Sequence, residues 1–124
     1  MSTPHWPTGA ALSALLLCGC DTLNAPLPAV PPTDLRIYVT TRTEYPTAGD
    51  AKIRASNLAG MPVREADDLG AGRYRMVLVC PDAATCRAAA QRIADDHFFA
   101  LGVDFESPQT RQRIPLKPTR ESAR

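Results

Sequence analysis

Residues 25–33 read Ala-Pro-Leu-Pro-Ala-Val-Pro-Pro-Thr, and this run limits what the rest of the chain can become. Proline lacks a backbone donor and holds its predecessor out of the helical region, so neither a helix nor an interior strand can pass through it. It reads as a semi-rigid, polyproline-like spacer rising about 3.1 Å per residue. Residues 20–33 therefore form a tether that separates the amino-terminal segment from the rest of the chain. In a chain of 124 residues the remainder holds one small domain with a modest core. A formal net charge of +1 lacks the electrostatic signature of a nucleic-acid binder.

Upstream, residues 10–17 are an uncharged apolar run, Ala-Ala-Leu-Ser-Ala-Leu-Leu-Leu, ending in Cys18-Gly19-Cys20. A transmembrane helix needs about 20 apolar residues, so this run is too short to span a bilayer. It suits the middle of a secretory signal, where a small residue precedes the cut. No Lys or Arg precedes it, the first being Arg36. A buried apolar helix with two cysteines is the other reading. The tetrad Leu17-Cys18-Gly19-Cys20 resembles the bacterial lipobox. That resemblance implies a signal peptide over residues 1–19, acylation of Cys20 (palmitate among the chains), and a lipid anchor on the periplasmic side of a bacterial membrane. In enterobacterial lipoproteins an aspartate after the lipidated cysteine disfavours transfer to the outer membrane. Asp21 holds that position and points to the inner membrane.

On this reading Cys80 and Cys86 are the cysteines left in the folded part, in an oxidising compartment. They flank a junction where a strand ends and a helix begins, which brings residues within bridging distance. Two buried thiols, or metal or redox chemistry, are the alternatives. The spacing is neither that of a zinc finger nor Cys-x-x-Cys.

Periodicity divides residues 34–106 into six elements. Leu35, Ile37 and Val39 alternate with Arg36, Tyr38 and Thr40, as in a half-buried strand. Next comes a helix over 47–59, with Ala51, Ile53, Ala55 and Leu58 as its apolar side and Gly60 as its stop. Residues 61–66 suit a short edge strand, marked by Pro62. Gly70 and Gly72 make a turn into the strongest strand, 73–80. Asp82 caps a second helix reaching to about Phe98, whose inner face is Cys86, Ala89, Ala90, Ile93, Ala94 and His97. A last strand covers 102–106. The order βαββαβ predicts an α+β, ferredoxin-like domain with helices on one sheet face and the other face open. Residues 107–124 are basic and poor in apolar residues, so they read as a disordered tail.

The opening strand Arg36-Ile37-Tyr38-Val39, the alanine-rich helix ending at Gly60 and the strand Tyr74-Arg75-Met76-Val77-Leu78-Val79 resemble the SPOR family of peptidoglycan-binding domains. Cys80 stands where that family has glycine and Asp82 where it has phenylalanine. Thr41-Arg42-Thr43 replaces the Gly-Ser-Phe ending of its first strand. The resemblance implies non-catalytic binding of peptidoglycan glycan strands on the open face, here through Arg36, Tyr38, Thr40 and Arg75. Tyrosine offers a flat apolar surface with a hydroxyl tip, and arginine offers planar donors for sugar oxygens.

No nucleophile–base set, phosphate-binding loop or zinc-protease motif is present, so the chain reads as a binder needing no metal or cofactor, and not as an enzyme. Asp95-Asp96-His97 does not make a metal site at helical spacing, because His97 faces inward and the aspartates outward. The competing function is an accessory lipoprotein subunit of a secretion, conjugation or pilus machine. Its protein partner would be engaged through the edge strand near Pro62 or the basic tail.

Overall fold

A computed structural model describes residues 27–119. The lipobox Leu17–Cys20, Asp21 and the end of the chain from Arg120 lie outside the described residues. Among the described residues no helix is long and apolar enough to cross a membrane.

The elements are β1 (Leu35–Thr41), α1 (Ala48–Ala59), β2 (Val63–Gly70), β3 (Arg73–Leu78), α2 (Ala83–Asp95), β4 (Ala100–Glu106) and β5 (Arg113–Leu116). The first four strands pair in the order β2-β3-β1-β4, all antiparallel, with β5 added beside β4. This is the ferredoxin-like α+β arrangement extended by one strand. The two alternating central strands β1 and β3 meet with Ile37 opposite Met76 and Tyr38 opposite Arg75.

The alternation sorts the side chains. Leu35, Ile37, Val39, Tyr74, Met76, Leu78, Val103 and Phe105 form one buried face. The helices close over it with small residues, Ala51, Ala55 and Ala59 from α1 and Ala89, Ala90 and Ala94 with Ile93 from α2. Alanine at these positions lets a helix approach the sheet closely, so most of the large side chains of the core come from the strands, joined by Ile93 of α2 and Phe99 just before β4. Tyr74 is 1% exposed, and its hydroxyl accepts the Tyr45 N–H at 2.9 Å, which removes the cost of burying the phenol.

Local chemistry sets the ends of both helices. Thr47 caps α1 by accepting the Asp50 N–H at 3.1 Å, and Gly60 ends it at φ 69° with its N–H on the Ser56 carbonyl. Asp82 caps α2, accepting the Thr85 N–H at 2.7 Å. The Cys80–Cys86 bond ties the end of β3 to the first turn of α2, with the Cα atoms 5.5 Å apart. Closing so short a loop contributes about 2 kcal/mol in the chain-entropy treatment.

Five expectations are corrected. The α2 helix stops at Asp95 because the Asp96 carboxylate turns to accept the Phe98 and Phe99 N–H groups at 3.0 and 3.2 Å. His97 therefore lies beyond the helix, not on its inner face, with its ring against Phe98. Ile53 is not part of the apolar side of α1 and is 60% exposed, since Ala51, Ala55 and Ala59 already fill that contact. Residues 27–30 are not a spacer standing clear of the domain: the Leu27 and Pro28 carbonyls accept from Arg111 and Arg36. The tail is not disordered throughout: residues 113–116 pair with β4, and Thr119 is held by Asp95 through its N–H at 2.7 Å.

Candidate functional site

The face of the sheet away from the helices is built by the other half of each alternation. It carries Arg64 and Asp67 from β2, and Arg73, Arg75 and Val77 from β3. From β1 come Arg36, Tyr38 and Thr40, from β4 Asp104 and Glu106, and from β5 Arg113. The four residues expected from sequence, Arg36, Tyr38, Thr40 and Arg75, all stand on this face, with Tyr38 directly opposite Arg75 on the neighbouring strand.

Their surroundings differ from a simple solvated surface. Arg36 is 5% exposed and pairs with Glu106, its Nη1 lying 3.2 Å from Oε2. Glu106 is itself 8% exposed and collects three donors. Besides Arg36 these are Arg111, whose Nε donates at 2.6 Å, and the Tyr38 hydroxyl at 3.4 Å. One carboxylate thus holds two guanidiniums and a phenol, so each is oriented before any ligand arrives.

Around this hub the remaining arginines are also held. Arg75 forks onto one oxygen of Asp67, its Nε and Nη2 at 3.2 and 3.1 Å. Arg113 donates to Asp104 at 3.1 Å while its guanidinium lies 3.9 Å from the centre of the Tyr38 ring, a cation–π contact. Arg73 donates to the Gly70 and Leu69 carbonyls of the β2–β3 turn. The result is a tyrosine under one guanidinium and flanked by others, each leaving some N–H donors unused. Such fixed, planar donors beside carboxylate acceptors match the paired hydroxyl and acetamido groups of a saccharide.

Residues 27–30 cross this face at the end where β1 begins. Arg36 Nη2 donates to the Pro28 carbonyl at 2.9 Å and Arg111 Nη2 to the Leu27 carbonyl at 2.6 Å. Val77, on the same face, is 1% exposed. A cavity of about 100 Å³ remains between residues 27–30 and the sheet, lined also by Arg36, Arg64, Asp67, Arg75 and Val77.

Sequence reasoning did not find Asp67, Asp104, Glu106, Arg111 or Arg113 as members of this face. Asp104 and Glu106 were legible in the alternation with Val103 and Phe105. Arg111 and Arg113 were hidden by reading their segment as a tail. Among the described residues no group of three His, Cys, Asp or Glu side chains could hold a metal ion. No family model, curated protein or solved structure matches the chain.

Both sheet edges bear on the rival reading. β2 carries two register shifts, at Arg64/Ala66 and Asp68/Gly70, with Glu65 at φ 59°. β5 spans four residues and includes Pro115. Bulges, charge and proline are the devices that stop an edge from accepting another strand.

Proposed function

We propose that the chain is a periplasm-facing lipoprotein, anchored through Cys20, whose domain binds the glycan strands of peptidoglycan on its open sheet face without catalysis. The observation that supports it most is the pre-set array around Tyr38, in which Arg36, Arg75, Arg111 and Arg113 are held by Glu106, Asp67 and Asp104. The resemblance to SPOR domains points to the same face. The Cys80–Cys86 bond fits a protein of an oxidising compartment. The blunted edges weigh against docking by strand addition, which beside the basic tail is one of the two routes of the accessory-subunit alternative.

The test is sedimentation of the purified, folded chain with isolated peptidoglycan sacculi, beside a Tyr38→Ala/Arg75→Ala variant. Saturable binding that falls on the order of tenfold or more in the variant is the expected result. A folded wild-type chain that stays in the supernatant sinks the glycan reading and leaves crosslinking to an envelope protein as the next step.

A further inference from the structure

Arg36 is central to the candidate site, yet in this structure a ligand cannot reach it. Its guanidinium is divided between Glu106 and the Pro28 carbonyl. Arg111 is divided in the same way, between Glu106 and the Leu27 carbonyl. The carboxylate side of both is part of the buried hub. The other side faces two neutral backbone oxygens supplied by the chain's own residues 27–30.

A neutral carbonyl accepting from a guanidinium is chemically the same kind of partner as the acetamido oxygen of an amino sugar. Residues 27–30 therefore hold, at two points, the donors that a glycan would use. Their seat is also loosely packed. A partly open pocket of about 100 Å³ lies beneath them, lined by the charged Arg36, Arg64, Asp67 and Arg75 and by the apolar Met76, Val77 and the strap itself, so the strap does not fill its seat on the sheet.

We propose that residues 27–30 act as an intrachain strap that competes with glycan for Arg36 and Arg111. Ligand binding lifts the strap, and the acetamido or hydroxyl oxygens of the sugar replace the Leu27 and Pro28 carbonyls. This rests on the glycan reading above and adds to it a closed and an open form of the same site. The apparent affinity is then lower than the intrinsic one by the fraction of molecules with the strap lifted.

The experiment uses the full chain in mild detergent and a variant with a loosened strap, Leu27→Ser/Pro28→Gly/Val30→Ser. Isolated sacculi are the probe. The loosened chain should bind with an apparent affinity raised on the order of tenfold, and adding Arg111→Ala should remove that gain. Equal binding by both chains overturns the strap and leaves the glycan reading standing. Failure of both folded chains to bind overturns the two together. A second measurement needs no variant. On adding muramidase-released glycan fragments to the wild-type chain, the NMR cross-peaks of Leu27 and Ala29 should move with that of Tyr38. If Tyr38 responds and the strap residues do not, the strap is not displaced and the proposal falls.

Discussion

Glu106 shows how much one residue carries when its surroundings are dry. It is the anion that faces the buried Arg36, and it also holds Arg111 and the Tyr38 hydroxyl. Replacing it by glutamine keeps the shape and removes the charge, leaving a buried guanidinium uncompensated. Glu106→Gln should therefore destabilise the fold by about 3 kcal/mol. Tyr38→Phe loses only a long hydrogen bond of 3.4 Å and should cost less than about 1 kcal/mol. Urea unfolding midpoints of the two variants decide it, and comparable losses would show that the hub is not organised around the carboxylate. Asp82 makes a second prediction at this scale. The Thr85 N–H and then the Thr85 hydroxyl hold its carboxyl below the ordinary aspartate range. A depressed folded-state value gives stability that is present above the unfolded value and lost as the pH falls through the folded one. Wild type should thus be more stable than Asp82→Ala near neutral pH, with the gap closing only in strong acid, below the usual titration of aspartate. A gap that does not change with pH would show that the charged cap is not the source.

Among the elements, the β2–β3 hairpin carries a visible flaw in its turn. Ala71 and Gly72 link paired Gly70 and Arg73 at φ 56° and 74°, the signs of a two-residue primed turn. Gly72 suits its place, since a Cβ there would lie 3.3 Å from Thr41 Oγ1. Ala71 does not, because the left-handed region costs an alanine about 1 kcal/mol. Ala71→Asn should stabilise the domain by about 0.5 kcal/mol, as Asn-Gly is the pair such turns prefer. An unchanged or lower melting temperature would contradict the turn assignment. The same elements show what could be read in advance. Strong periodicity revealed β1, β3 and, apart from His97, the inner face of α2, and the βαββαβ sequence of elements was legible with them. Elements whose formation depends on tertiary partners were not legible. β5 is only four residues long and includes Pro115, and it exists because β4 offers an edge, with Ile114 opposite Phe105 and Leu116 opposite Val103. The end of α2 escaped the periodicity for a related reason, since Asp96 adopts a local turn instead of adding another helical residue. At the candidate site, Arg36, Tyr38, Thr40 and Arg75 followed from the period of β1 and β3. The partners that immobilise them come from distant segments that no local pattern connects.

At the scale of the molecule, the domain is asymmetric in a way that suits attachment. Helices cover one face of the sheet, both edges are blunted, and the other face gathers the arginines, the acids and Tyr38. Residues 27–30 cross that same face, so the segment leading back towards Cys20 meets the domain at its candidate site and not at its back. The most direct test of glycan recognition on this face is a two-dimensional amide NMR titration of the chain with muramidase-released glycan fragments. Binding there predicts shifts clustered on Tyr38, Thr40, Arg75, Asp104 and Glu106, with α1 and α2 silent. Shifts confined to the helices, or none at saturating ligand, would contradict it.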